Sequence, residues 1–103
     1  MRKSDVFVHD VHAGVLEEIE KGMAYRFTYL GDYDGPPASL TLPVSTTPYD
    51  FEKLPGFFEG LLPEGYNLEI LLRVRKIDRN DLFSQLMAVG MDMVGAVTVQ
   101  EIE

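Results

Sequence analysis

Residues 57–65 read FFEGLLPEG. Phe57, Phe58, Leu61 and Leu62 fall at i, i+1, i+4 and i+5, which is one face of a helical turn, and Pro63-Glu64-Gly65 ends that turn. The bland reading is core, with Phe57, Phe58, Leu61 and Leu62 covering a sheet, Gly60 allowing close helix approach and Pro63 stopping the turn. The stretch also marks where the hydrophobic period of the chain changes, and that change defines the fold class.

Before it, the period is two. Residues 6–8 are short and β-branched, residues 15–19 follow a break at Ala13-Gly14, and residues 24–30 alternate, with Tyr25, Phe27 and Tyr29 on one face. The short connections HDVHAG (9–14) and EKG (20–22) favour antiparallel hairpins. GDYDGPP (31–37) is dense in turn formers and reads as a loop. Leu40, Leu42 and Val44 then alternate with Ser39, Thr41 and Pro43, which predicts a strand ended or placed at an edge by the proline.

After it, the period is helical. Leu68, Leu71, Leu72 and Arg75 predict a second helix. A third is expected over about 81–89, with Asn80 as N-cap and Gly90 as the left-handed residue at its end. Residues 96–102 return to β, Val97 and Val99 on one face. The expectation is one domain over residues 1–103 of class α+β: a small antiparallel sheet covered on one face by about three short helices, with a C-terminal strand returning to the sheet.

Composition bounds the function. A chain of 103 residues, 46% hydrophobic, has room for one core. No apolar run approaches the roughly 20 residues of a bilayer span, and Asp5 interrupts any signal-peptide core in MRKSDVFVHD (1–10), so a cytoplasmic location is expected. The absence of cysteine excludes disulfides, thiolate metal sites and a cysteine nucleophile. A formal charge of −8 repels phosphate backbones and speaks against direct nucleic-acid binding. Residues 1–69 hold five basic and twelve acidic side chains, whereas Arg73, Arg75, Lys76 and Arg79 cluster, either to meet an acidic partner or as the solvated side and end of a helix.

Chemistry-bearing motifs are sparse. His9, Asp10 and His12 are the one cluster with metal-ligand or acid/base character, and the signal is weak, since they lie between two strands where polar residues at a hairpin turn are expected anyway. DYDG (32–35) resembles the start of a calcium loop, but its twelfth position is Pro43 rather than a bidentate glutamate, so it reads as a turn. No phosphate-binding glycine motif occurs, and Gly90 to Gly95 lacks the P-loop lysine. Met87, Met91 and Met93 either fill core gaps or line an adaptable surface. No catalytic, cofactor-binding or metal-binding residue is assigned, and the expectation is a protein that is not an enzyme. A surface-recognition role is what remains. Leu62, Pro63, Glu64 and Tyr66, a fixed turn with an aromatic, and Arg73 and Arg75 on the next helix are the candidate contact residues.

Three stretches in order, SLTLPV (39–44), FFEGLLPEG (57–65) and VGMDMVGAVTV (89–99), resemble the N-terminal subdomain of HipA-type toxin kinases. There, a serine/leucine strand ending in proline leads to an F-F-x-N-L-L-P-E/D helix end, and a later G-x-D-x-x-G-A-V begins the last strand. Gly60 stands where asparagine is common in that family, and Met91 where arginine is. The resemblance spans essentially the whole chain and stops before any ATP site or catalytic loop. It implies a separately encoded subdomain, as in the HipS-like antitoxins of three-component HipBST systems. The expected partners are then a HipT-like serine/threonine kinase and a HipB-like DNA-binding protein in the same complex. The implied role is neutralisation of the kinase or, alternatively, completion of its fold in support of its activity.

Overall fold

Alternation of small and large apolar residues with polar ones writes the sheet directly into the structure, a computed structural model that describes residues 2–91 and 95–102. Strand β1 (Arg2–Val8) buries Ser4, Val6 and Val8, and β3 (Ala24–Tyr29) buries Tyr25, Phe27 and Tyr29. Between them β2 (Val11–Glu20) buries Ala13, Leu16 and Glu18, and β5 (Val97–Ile102) buries Val97 and Val99. With the short β4 (Tyr49–Phe51) these form one antiparallel sheet in the order β4-β3-β2-β1-β5. The last strand therefore lies against the first, as expected for an α+β fold with a returning C-terminal strand.

The expected break at Ala13-Gly14 is instead a bulge within a single ten-residue strand. Val6 pairs with Gly14 and Phe7 with His12, which leaves Ala13 unpaired and reverses the in/out phase of β2. Gly14 is required by packing. A Cβ there would lie 2.5 Å from the Thr28 carbonyl oxygen and 3.1 Å from the Phe27 ring.

The strand expected at Leu40–Val44 does not form. Leu42 N–H donates to the Ser39 carbonyl (3.0 Å) and Thr41 N–H to the Ser39 hydroxyl (3.2 Å), closing a tight turn with a single Ser39–Leu42 bridge. Local side-chain bonding of this kind competes with ladder pairing, and Pro43 removes a donor from the same segment. Leu42 is buried, but Leu40 is 95% exposed at the turn. The edge position is taken by β4, where Asp50 opposes Arg26 and pairs with it at 2.6 Å.

Helices cover the buried face. α1 (Gly56–Glu59) inserts the fully buried Phe58 against Phe27, ring centroids 5.8 Å apart. The turn continues irregularly through Leu61 and Leu62, whose N–H groups donate to Phe58 and Glu59 carbonyls at 3.1 Å. The close helix approach expected at Gly60 is not found: the atoms nearest a Cβ there are the carbonyl oxygens of its own turn, Gly56 at 3.3 Å and Phe57 at 3.5 Å. α2 (Gly65–Arg75) starts at a glycine with φ of +60° and stops at Lys76 in the left-handed region. α3 (Leu82–Val89) buries Phe83, Gln85 and Leu86.

Two expected caps of α3 differ. Asp81 rather than Asn80 caps its start, accepting from Ser84 N–H at 3.1 Å, while Asn80 belongs to the preceding turn, its N–H donating to Asp78 Oδ1 at 2.9 Å. Gly90 is right-handed, φ −57°, so left-handed backbone is not why glycine stands there. Its N-terminal neighbours bring the end of α3 so near β5 that a Cβ would sit 2.2 Å from the Val99 carbonyl oxygen. Val99 N–H donates to Gly90 O at 2.9 Å, tying helix to strand.

A polar clamp joins the sheet to α3. Glu18, 3% exposed, accepts from Arg2 Nε (2.7 Å), Gly22 N–H (3.1 Å) and the Tyr25 hydroxyl (3.1 Å). Arg2 continues to Asp81 (2.9 Å) and the Ser84 hydroxyl (2.7 Å) and lies 5.0 Å from the Phe83 ring centroid. Burial, reinforced by the bond to Glu18, pushes the Tyr25 hydroxyl up to about 12. Burial also disfavours the Asp81 anion, yet hydrogen bonds from Arg2 and Ser84 outweigh it and hold that carboxyl down at about 2.

Candidate partner-binding surface

Residues Leu62 to Tyr66 make the corner between α1 and α2. Leu62 and Pro63 are half-buried, Leu62 against the core, while Glu64 is exposed at the helix start and supplies no side-chain cap. Tyr66 is 79% exposed on the first turn of α2. The geometry thus brings the four corner candidates together as one surface.

It separates the two arginines. At about 100° per residue, Arg73 lies on the same side of α2 as Tyr66, whereas Arg75 lies opposite. Arg75, the last residue of α2, borders a groove with Ile77, Met87 of α3 and Glu101 of β5. Both side chains are exposed, and Arg73 and Arg75 complement the C-terminal end of the helix dipole.

The sequence reading missed two members of the outer face. Ile70 is 42% and Val74 71% exposed, and with Tyr66 they recur every fourth residue, forming an apolar stripe on the solvent side. α2 buries no residue completely, and Leu68, Leu71 and Leu72 reach only half burial on its inner side. The signal was present as a second apolar series, 66, 70 and 74, interleaved with the leucines. It was overlooked because the leucine series satisfies the helical period on its own. Among the described residues, α2 is an adhering helix with apolar residues on two sides, a form suited to contact with more than one neighbour.

Other sequence candidates are placed elsewhere. His9 and Asp10 form the two-residue β1–β2 turn, with φ of 50° and 65°, as a type I′ hairpin requires. His12 lies on β2, its Nε2 2.9 Å from Asp5 Oδ1 and 3.1 Å from the Gly14 carbonyl oxygen. Among the described residues, no group of three or more His, Cys, Asp or Glu is arranged to hold a metal. Met87 packs against the core, Met91 is 58% exposed, and Met93 lies outside the described residues. No described helix is long and apolar enough to cross a membrane.

The arrangement of sheet, corner and α2 has known counterparts. The HipA N-terminal domain family matches residues 4–100. The chain is 35% identical over 101 residues to an uncharacterised protein of Haemophilus influenzae (strain ATCC 51907 / DSM 11121 / KW20 / Rd), covering 98% of this chain and 93% of that protein. Its fold superposes on the N-terminal domain of HipA toxin with a TM-score of 0.77 and 30% identity, covering 100% of this chain and 94% of that one. The chain belongs to the HipA N-terminal domain family, and so is related to proteins of toxin–antitoxin systems.

Proposed function

We propose that this protein is a non-catalytic, cytoplasmic antitoxin that binds and neutralises a HipT-like serine/threonine kinase toxin, in an assembly that includes a HipB-like DNA-binding protein. The observation that carries the reading is the end-to-end superposition on one domain of a toxin, at 30% identity. A domain that is one part of a toxin carries a docking face toward the rest of it. When it acts as a separate chain, that face has to hold the kinase without the effective concentration a covalent link supplies.

The corner Leu62-Pro63-Glu64-Tyr66 and the outer side of α2, with Ile70, Arg73 and Val74, are the proposed docking face. An exposed tyrosine and an arginine beside aliphatic side chains are the residue types that anchor interfaces. The strongly acidic charge keeps the protein itself off nucleic acid, leaving DNA contact to the HipB-like partner. No membrane partner belongs to the reading.

Co-expression with a HipT-like kinase from the same genome tests it. Rescue of growth, co-purification and a fall in kinase phosphorylation on adding this protein are expected. A rise in phosphorylation would instead assign it as a subunit that completes the kinase, and persistent toxicity without co-purification would remove both roles.

A further inference from the structure

Between the β1–β2 turn and the loop following β3 lies a cleft of about 440 Å³. None of its lining residues belongs to α2 or to the Leu62–Tyr66 corner, so it is separate from the surface proposed above. Val8, Val11, Leu30 and Pro36 supply apolar lining, and Asp32 and Asp34 stand on the loop side.

The walls are built in advance. Leu30 N–H donates to the Ala13 carbonyl at 2.8 Å, Tyr33 N–H to the Leu30 carbonyl at 3.1 Å, and the Tyr33 hydroxyl to the Pro36 carbonyl. The Tyr33 ring stacks on Tyr29, centroids 5.8 Å apart. Gly35 lets the loop fold under that ring, since a Cβ there would meet the Tyr33 hydroxyl oxygen at 2.7 Å. A ligand entering such a site incurs little ordering cost.

The charge is of one sign. The chain has no lysine or arginine in residues 4–20 or 27–52, the two segments from which every lining residue comes. Asp32 and Asp34 make no ion pair among the described residues; of the two imidazoles in the lining, His12 is engaged by Asp5 and His9 stands in the β1–β2 turn. Unpaired carboxylates over low-dielectric walls focus a negative potential on the opening.

We infer that this cleft receives an arginine side chain from a partner polypeptide, its aliphatic stem against Val8, Val11, Leu30 and Pro36 and its guanidinium between Asp32 and Asp34. A long stem with a cationic, planar head matches both the apolar lining and the two carboxylates. An acidic or purely apolar occupant would leave these carboxylates facing like charge or deprived of solvent. The inference does not depend on the antitoxin role, and its test uses no kinase.

The test is a 15N NMR titration of the intact protein with acetyl-Ala-Ala-Arg-Ala-Ala-amide and with the same peptide carrying citrulline, the neutral isostere. Shifts confined to residues 8–12 and 30–36 with the arginine peptide are expected, at least about tenfold weaker with citrulline. The same loss is expected for the Asp32→Asn/Asp34→Asn variant, whose positions are exposed and whose spectrum reports that the fold persists. Equal response to both peptides, shifts centred elsewhere, or no response at 20 mM peptide, about the weakest binding the method reads, would overturn the proposal. Saturation by zinc chloride or by spermidine at concentrations where the arginine peptide has no effect would overturn it too, assigning a metal or a polyamine instead.

Discussion

Replacing Gly90 by alanine and, separately, by asparagine distinguishes two physical reasons for a glycine at the end of a helix. If the backbone there were left-handed, alanine would be strained and asparagine well tolerated. Gly90 is right-handed, and the obstacle is the strand beside it: a Cβ would lie 2.2 Å from Val99 O and 3.0 Å from Val99 C. Ordinary contact begins near 3.4 Å, so the end of α3 and β5 must separate by roughly 1 Å. Neither obstructing atom can swing aside, because both are backbone.

Separation stretches the 2.9 Å bond from Val99 N–H to Gly90 O, worth about 0.5–1.5 kcal/mol. It also loosens Leu86 and Val99, both fully buried, and forced expansion of a core costs about 1–3 kcal/mol. The gain in helix propensity on losing glycine offsets up to about 1 kcal/mol. The net expectation is about 1–3 kcal/mol of destabilisation for both variants, a fall in Tm of roughly 4–8 °C for each kcal/mol. Urea denaturation at pH 7, with the m-value shown unchanged, measures it. An asparagine variant within about 0.5 kcal/mol of the parent, with alanine clearly worse, would refute the steric reasoning in favour of left-handed backbone.

Other outcomes follow from the clamp, the turn and α2. The folded-state value of Asp81, about 2, lies below its ordinary 3.8, so its contribution is complete above about pH 4 and is lost as pH falls from 3.8 through 2. That contribution is about 2 kcal/mol by linkage, and Asp81→Asn should flatten the acid limb of stability measured by urea denaturation between pH 2 and 6. Glu18→Gln keeps the shape of a side chain that accepts from Arg2, Gly22 and Tyr25 but removes its charge, and should cost about 1.5–3 kcal/mol in the same assay at pH 7. Leu40→Ser, at a position 95% exposed, should change stability by less than about 0.5 kcal/mol, a larger loss pointing to a paired strand over 40–44. The triple replacement of Tyr66, Ile70 and Val74 by serine should leave the thermal melt of the free protein within a few degrees while abolishing co-purification with a HipT-like kinase.

The candidate surface was legible in part. Pro63 and Gly65 advertise a sharp corner because their backbone preferences are local, and an aromatic just past such a corner invites attention. The companions of Tyr66 were not legible, since exposure of Ile70 and Val74 depends on which side of α2 meets α3, and both sides carry apolar residues. The division between Arg73 and Arg75 was readable from helical spacing alone once α2 was accepted as one continuous helix.

Sequence alone determined the α+β class, the faces of β3 and β5, the switch to helical period near residue 57 and the absence of thiol chemistry, because each is set by side-chain periodicity or composition within a few residues. Tertiary structure alone decided the order of the strands, the edge position of Tyr49–Phe51, the bulge at Ala13 and the reason for glycine at 14 and 90. It also decided that Glu18 would be a buried anion held by Arg2 and Tyr25. The physical division is one of range. Backbone preference and amphipathic period act between near neighbours, whereas close approach, burial and charge pairing depend on segments that only the completed fold brings together.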